Sequence, residues 1–328
     1  MKRSAAIDVG SYSIKLIELE ENKGQVEVIK AAVNPISEGN VNSSLRDLLA
    51  LTKLSSKRVN VSLSGPAVIV RYIEMPPMKR EELRSAIRFE AEKYLPFDVN
   101  DAVMDCTTLD KNVSTGASRV LLVAAKKDKI NNYMSLFKEF GLDIDVIDVD
   151  SVAFLNAFQR SGAEKEEAAT YALVNMGGKF SNMNIIANGY PYFTRDMLWG
   201  GMDVTAKLKE SRSISMEDAE KIKRDPGDSK EDALAAVTPI LEKLISEIRM
   251  SFDYFETQFG KNIERIHITG GSSYLFGITE FLRDNIGLDV RPWDPLSGIG
   301  VNEAVLDREI KDFPGQFAVA VGLALRGL

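Results

Sequence analysis

An acidic residue followed by a turn of glycine and serine lies near the start of the chain, between two strand-like apolar segments. The run is Asp8-Val9-Gly10-Ser11-Tyr12-Ser13-Ile14-Lys15. A turn of small residues directs several backbone N–H groups to one point, where they bind phosphate oxygens. Asp8 is predicted to hold Mg²⁺ mostly through water molecules, because this ion keeps much of its hydration shell. Lys15 neutralises phosphate charge once the hairpin folds back, although the pattern alone is also typical of an ordinary β-hairpin.

A second copy of this pattern begins at Asn175, again between two apolar segments. It runs Asn175-Met176-Gly177-Gly178-Lys179-Phe180-Ser181. Asn175 follows Asp8, and Gly177 follows Gly10, at the same spacing of 167 residues. Repetition at this distance predicts two related lobes that face each other across a cleft, each with a phosphate-binding turn.

A third glycine site, Gly270-Gly271-Ser272, follows a predicted strand and precedes a predicted helix. This arrangement lets the backbone approach a flat ligand such as adenine and its ribose. Glu247, on the long predicted helix before that strand, is expected to reach the ribose. Asp150, at the start of another predicted helix, is the candidate catalytic residue that orients a water molecule, and a plain helix N-cap is the alternative. His267 lies in an Ile-His-Ile strand and is predicted to be structural.

Length, composition and charge restrict the class of protein. The 328 residues are 45% hydrophobic and 27% charged, which is typical of a globular protein large enough for two lobes. The formal net charge of −7 disfavours nucleic acid as a partner. The single cysteine, Cys106, excludes an intramolecular disulfide and fits a reducing cytoplasm.

No membrane insertion is expected. The N-terminal residues leave no room for the apolar core of a signal peptide. No apolar run reaches the ~18 residues that a membrane span requires. The longest such run, from Phe317 to Leu325, is predicted to be a buried closing helix in which Gly322 permits close packing.

The order of predicted strands and helices indicates four parts. These are a first-lobe core, an αββα insertion within it, a second-lobe core and a helical subdomain of the second lobe. Their predicted bounds, in that order, are 1–75 (completed by 148–168 and 312–328), 76–147, 169–200 (completed by 263–311) and 201–262.

The three glycine sites together match the signature of the actin-like ATPases. Within that superfamily the chain resembles the type IV pilus assembly protein PilM family, bacterial relatives of the cell-division protein FtsA. The resemblance covers nearly the whole chain. Its specific parts are Ile7 to Ser11 with Ser13 and Lys15, Pro76 with Met78, Glu90 to Phe97, Phe193 to Arg195, and Ala320 to Ala324.

The resemblance implies an α/β actin-like ATPase fold, with two ribonuclease-H-like lobes around a cleft that binds ATP and Mg²⁺. It also implies a cytoplasmic adaptor, held at the inner membrane by the N-terminal peptide of the membrane protein PilN. The peptide groove in this family lies between the first-lobe core and its insertion, here around Val68 to Met75. Other pilus assembly proteins are further candidate partners.

Asn175 bears on the question of hydrolysis. The superfamily has an acid at this position, and an amide carries no charge to hold Mg²⁺ or to polarise a water molecule. We therefore expect ATP binding with slow or absent turnover. The alternatives are a filament-forming ATPase of cell division or of a related secretion system, and a small-molecule kinase. A kinase would need a carboxylate base, for which Asp150 is the candidate.

Overall fold

Three separate β-sheets and ten α-helices make up the described part of the computed structural model, which covers residues 1–66, 68–110, 116–164, 169–301 and 307–328. The strands are β1 Lys2–Val9, β2 Ser13–Asn22, β3 Gln25–Pro35, β4 Arg58–Leu63, β5 Val68–Met75, β6 Ala102–Asp110, β7 Ser118–Lys126, β8 Asp143–Val149, β9 Thr170–Met176, β10 Ser181–Ala187, β11 Tyr190–Met197, β12 Arg265–Thr269, β13 Asp289–Pro292 and β14 Gly300–Val301. The α-helices are α1 Val41–Thr52, α2 Arg80–Ala91, α3 Lys127–Glu139, α4 Asp150–Ser161, α5 Gly201–Arg212, α6 Met216–Arg224, α7 Lys230–Phe259, α8 Ile278–Ile286, α9 Arg308–Asp312 and α10 Ala318–Arg326.

Two of the sheets share one topology. The first has the order β14-β3-β2-β1-β4-β8, and the second has the order β11-β10-β9-β12-β13. In each, an antiparallel meander of three strands continues into two parallel strands. The hairpins β1–β2 and β9–β10 carry the two predicted phosphate turns. The repeat read from the sequence therefore corresponds to two related lobes, as predicted.

Helices α4 and α10 pack tightly together in the core beneath the first sheet. Every side chain from Ala318 to Ala324 is buried, which confirms the predicted closing helix. A Cβ added at Gly322 would lie 1.8 Å from the backbone oxygen of Ala153 in α4, so the missing side chain is what allows the contact. None of the helices described here has the length and apolar content that a membrane span needs.

The insertion differs from the predicted αββα unit. Strand β5 pairs along its whole length with β7 in a third sheet of order β5-β7-β6, and not with the first-lobe sheet. The insertion therefore begins before Val68, and not after residue 75 as expected. At the other end, α3 buries Phe137 in the first-lobe core, while α2 packs on the third sheet through Leu83 and Ile87. Parts of the predicted core segments, residues 165–168 and 302–306, lie outside the described residues.

The second lobe carries its helical part on one side of its sheet. Six apolar side chains of α7 join the core of this lobe, as their helical spacing indicates: Leu241, Leu244, Ile245, Ile248, Phe252 and Phe255. This packing orients α7 and, with it, the short helices α5 and α6. Helix α6 then lies along the edge of the interlobe cleft.

Replacing Gly322 by alanine is expected to lower the free energy of unfolding, because α4 and α10 must separate to admit the methyl group. Overpacking of this kind costs about 1–3 kcal/mol. Urea denaturation measures the loss. Gly271→Ala is the matched control, since the nearest atom to a Cβ there, the Cβ of Gln316, is 3.8 Å away. Equal losses in the two variants would contradict the close-packing explanation.

Candidate functional site

A cleft of about 630 Å³ lies between the two lobes, and all three glycine sites open into it. Most of the residues predicted from the sequence line this cleft together. They are Asp8, Gly10, Ser11, Tyr12, Ser13, Lys15, Asp150, Asn175, Gly177, Gly178, Gly270, Gly271 and Ser272.

The first turn places a carboxylate and an amine side by side. Asp8 and Lys15 are opposite each other in the β1–β2 register, and the Lys15 Nζ lies 3.2 Å from the Asp8 Oδ2. The backbone N–H of Gly10 donates to the Ser13 carbonyl across the turn, at 3.1 Å. The buried Asp8 carboxylate fits a hydrated Mg²⁺, and the small turn beside it fits phosphate oxygens. The metal ion would compete with Lys15 for Asp8, and the phosphate oxygens would compete with Asp8 for Lys15.

The second turn repeats this geometry without charge. Asn175 is opposite Asn182 in the β9–β10 register, and its Nδ2 donates to the Asn182 Oδ1 at 3.4 Å. Asn182 follows Lys15 at the same spacing of 167 residues, so an amide pair replaces the ion pair of the first lobe. The Asn182 Nδ2 in turn donates to the Asp196 Oδ1 at 2.6 Å. The nearest carboxylate in this row of the second sheet is therefore on β11, two strands away from Asn175.

The two turns touch each other across the cleft. The Lys179 backbone N–H donates to the Ser11 Oγ at 2.9 Å. A Cβ on Gly178 would lie 2.9 Å from the Cβ of Tyr12, so only glycine permits this approach. Lys179, also predicted to bind nucleotide, is not among the residues that line the cleft, and its backbone instead joins the two turns. Ser181, also expected to bind nucleotide, does not line the cleft, because it is buried and donates to the Trp199 carbonyl at 2.9 Å.

The third glycine site has the backbone conformation that a close approach requires. Gly270 has a φ of +93°, and a Cβ there would lie 2.5 Å from the Met176 carbonyl oxygen. Gly271 has open space above it, with no atom closer than 3.8 Å to an added Cβ. The Ser272 Oγ donates to the Gly177 carbonyl at 2.8 Å and so ties this loop to the second turn. The backbone at Gly271 therefore has free space on its cleft side.

Helix α6 brings charged residues to the cleft that the sequence analysis missed. The Lys223 Nζ lies 2.7 Å from the Glu220 Oε1 and 3.0 Å from the Thr205 Oγ1. Burial lowers the pKa of Lys223, and the Glu220 carboxylate opposes that effect. Arg224 pairs with Glu309 at 3.1 Å and lies over the Phe313 ring. The Glu-x-x-Lys-Arg spacing, which puts these residues on one helical side, is the signal that was available.

Glu247 does not line the cleft, and its predicted contact with the ribose is corrected. Its Oε2 accepts from the Arg195 Nη2 at 2.7 Å, and the Arg195 Nη1 donates to the Ser251 Oγ at 3.3 Å. Because the buried stripe of α7 fixes the helix rotation, Glu247 faces β11 instead of the Gly270 loop. Glu220 on α6 is instead a carboxylate that lines the cleft.

Asp150 faces the cleft near Asp8. It is the first residue of α4, whose N-cap is Val149, so the plain N-cap interpretation does not apply. Desolvation raises the pKa of the Asp150 carboxyl to about 7, with the Asp8 charge as the second cause, and the Ser62 and Ser64 hydroxyls oppose the rise. Asp150 thus changes charge near neutral pH, which suits a group that orients or deprotonates a water molecule.

His267 lies outside this site. It is buried on β12, 3.3 Å from the Glu164 Oε2 and packed against the rings of Phe158 and Tyr171. Burial lowers the pKa of His267. Its neighbours are those of a structural residue in the core.

Comparison with known proteins identifies the family. The sequence model of the type IV pilus assembly protein PilM matches residues 6–328. The chain belongs to the PilM family. Among solved structures, the PilM–PilN type IV pilus biogenesis complex superposes with a TM-score of 0.88 at 26% identity, over 99% of this chain and 98% of that chain. Both findings confirm the resemblance seen in the sequence.

More distant relatives show the fold of this PilM-family chain. The ethanolamine utilization protein EutJ from Carboxydothermus hydrogenoformans superposes with a TM-score of 0.58 at 16% identity, over 99% of this chain and 90% of that one. MreB 5 of Spiroplasma citri, bound to AMPPNP, superposes with a TM-score of 0.51 at 12% identity, over 98% of this chain and 95% of that one. The predicted actin-like ATPase fold is confirmed.

A curated relative matches over a shorter stretch. The ethanolamine utilization protein EutJ of Escherichia coli K12 is 29% identical over 111 residues, which is 34% of this chain and 37% of that protein. The PilM-family chain thus spans little more than a third of the length of this relative.

Binding of Mg²⁺-free ATP is expected to weaken between about pH 6 and pH 8. The Asp150 carboxyl, with its pKa at about 7, is mostly neutral at the lower pH and charged at the higher one. The added charge repels phosphate, and the affinity should fall roughly tenfold, the size of one charge in a partly solvated site. Titration with a fluorescent ATP analogue measures this.

In Asp150→Asn, the affinity for Mg²⁺-free ATP should no longer decline between about pH 6 and pH 8. Asp294→Asn is the control, since burial also raises the pKa of Asp294, which does not line the cleft. A decline that persists in Asp150→Asn would assign the titration to another group.

Glu220→Gln is expected to weaken ATP binding by about tenfold, because a charge-assisted contact is lost and Lys223 is left without its counter-ion. Glu247→Gln should leave ATP affinity unchanged, because the partner of Glu247 is Arg195. Isothermal titration calorimetry, with melting temperatures as the check on folding, compares the two variants. A loss of ATP affinity in Glu247→Gln but not in Glu220→Gln would instead support Glu247 as the ribose contact.

Proposed function

We propose that this PilM-family protein is a cytoplasmic nucleotide-binding adaptor of the type IV pilus inner-membrane assembly complex. It binds the cytoplasmic N-terminal peptide of a PilN-type membrane protein, which keeps it at the cytoplasmic face of the inner membrane. Other pilus assembly proteins are further candidate partners. The observation that carries the proposal is the likeness to the PilM–PilN complex over 99% of the chain.

ATP with Mg²⁺ is the ligand that we assign to the interlobe cleft. The backbone amides of the two glycine turns and the Lys15 amine would hold the phosphates, and Asp8 would hold the hydrated metal ion. Gly271 and the charged side of α6 would take the adenine and ribose. The metal supplies charge neutralisation at the phosphates.

Hydrolysis is expected to be slow or absent. The amide pair of Asn175 and Asn182 offers no second carboxylate beside the metal. Phosphoryl transfer depends on positioning and charge stabilisation, so a missing charge reduces turnover more than binding. Asp150 remains the one group that we propose for orienting a water molecule.

The peptide is assigned to the groove between the first-lobe core and the insertion. The sequence resemblance placed this groove around strand β5, but the outer side of β5 faces β11, through Tyr72 and Thr194, so β5 is not the edge that we assign to the peptide. Within the described residues no strand pairs with the outer edge of β6, which an extended peptide can extend by main-chain hydrogen bonds. Val103 on β6 of the insertion and Met134 on α3, which packs on the first-lobe core, are exposed apolar side chains.

A synthetic peptide of the N-terminal segment of the PilN-type protein from the same organism is expected to bind with micromolar or tighter affinity. Fluorescence anisotropy, with a scrambled peptide as control, measures it. Val103→Glu and Met134→Glu should each weaken binding about tenfold or more by placing a charge in an apolar contact. Leu51→Glu, which charges an exposed leucine on α1, should not.

Failure of the peptide to bind would overturn the adaptor proposal. The alternative, a filament-forming ATPase, would then show ATP-dependent light scattering together with phosphate release. Peptide binding without either signal would support the adaptor alone.

A further inference from the structure

The insertion is attached to the second lobe as well as to the first lobe, in which it is inserted. The Tyr72 hydroxyl of β5 lies 2.7 Å from the Thr194 Oγ1 of β11. The guanidinium of Arg119 on β7 lies 3.5 Å from the centre of the Tyr192 ring, also on β11. Strands β5 and β11 are edge strands of different sheets and have no ladder between them. Side-chain contacts therefore join the insertion to the second lobe at this point.

The hydrogen bonds behind Tyr72 have a single direction. The Asn184 Nδ2 donates to the Ser151 carbonyl at 2.8 Å, which leaves the Asn184 Oδ1 as an acceptor. The Thr194 hydroxyl donates to that oxygen at 2.5 Å. Its only proton is then used, so Tyr72 must be the donor to Thr194. Burial raises the pKa of Tyr72 to about 12, which keeps the phenol protonated as this chain requires.

The chain of hydrogen bonds ends next to the nucleotide cleft, one residue from Asp150, which lines the cleft. Ser151 follows Asp150 in the first turn of α4, and Asn184 is fully buried against it. A displacement of α4 at the cleft must therefore move or break this buried network of hydrogen bonds, in which the direction of each bond is fixed. Such a network has no equivalent alternative arrangement, because breaking one bond leaves a buried polar group unpaired.

A second row of hydrogen bonds runs parallel to the first, two residues along the strands. The Asp196 carboxylate accepts from the Asn182 Nδ2 and from the backbone N–H of Gly65, in the turn that leads into β5. The Asn182 Oδ1 accepts from Asn175 at the head of the second phosphate turn. Asn182 is opposite Asp196, and Asn184 is opposite Thr194, so the four side chains lie on one face of β10 and β11.

We propose that Asn182, Asn184, Thr194 and Asp196 form a relay that couples nucleotide in the cleft to the position of the insertion, and so to affinity for the peptide. The inference rests on the proposed function, since it assigns a regulation to the peptide site. One end of the relay contacts Asn175 and the residue after Asp150, and the other contacts β5 and the turn before it. A ligand that shifts one lobe against the other must carry the insertion with it or break the Tyr72–Thr194 contact.

Tyr72→Phe and Thr194→Val test the relay, because each removes a hydroxyl and keeps most of the side-chain volume. Thr238→Val is the matched control, since its hydroxyl donates to a carbonyl within α7 and has no part in the relay. The peptide dissociation constant is measured for the full chain with and without ATP and Mg²⁺. In the wild type and in Thr238→Val, nucleotide should change it by about 5-fold or more, the usual range for coupled sites.

In both relay variants, the ratio of the peptide dissociation constants measured without and with ATP and Mg²⁺ should fall to within about twofold of one. The ATP affinity and the nucleotide-free peptide affinity should each stay within about threefold of wild type. A purely structural role would lower the melting temperature and leave the ratio unchanged. That result would overturn the relay.

Hydrogen exchange of the β5 amides provides a readout that does not depend on the peptide. ATP and Mg²⁺ should change exchange at residues 68–75 in the wild type, and the change should be lost in Thr194→Val. Absence of the change in the wild type overturns the relay even where the peptide binds. Loss of peptide binding with this exchange response intact overturns only the proposed adaptor function.

Discussion

Direct contact between the two glycine turns is the constraint on which the arrangement of the cleft depends. Lys179 donates its backbone N–H to Ser11, and Gly178 admits Tyr12 only because it has no side chain. The two turns lie at the tips of equivalent hairpins in two lobes of the same topology. Their contact sets the distance between the lobes at the place where phosphates are expected. The position of the cleft follows from this contact, and α6 and the Gly270 loop form two further parts of its wall.

The two lobes share one strand topology, but their turns differ in charge. Asp8 and Lys15 form an ion pair at the first turn, whereas Asn175 and Asn182 form an amide pair at the second. On the proposed function, this asymmetry would leave the backbone amides free to bind phosphate and would remove one of the two charges needed for hydrolysis. The carboxylate of the second row, Asp196, contacts the turn that precedes the insertion.

The insertion, on which the proposed peptide site lies, packs as a unit of its own. It has its own sheet and its own small core. Because β5 is next to β11, the orientation of the insertion depends on the second lobe as well as on the first. The Phe193–Arg195 run, which marked the family in the sequence, has separate contacts for each side chain. Phe193 packs on Tyr254, Thr194 bonds to Tyr72 and Asn184, and Arg195 pairs with Glu247.

The sequence by itself determined the features that depend on short segments. The repeated turns, the paired lobes, the buried closing helix with Gly322 and most cleft residues follow from local pattern and spacing. Tertiary structure decided the rest. The sheet that β5 joins depends on a pairing partner some fifty residues away. The rotation of α7, which turned Glu247 from the cleft, and the position of α6, which brought Glu220 and Lys223 to it, depend on packing between helices. A sequence pattern predicts which face of a helix is buried, but only the assembled core decides which residues its other faces contact.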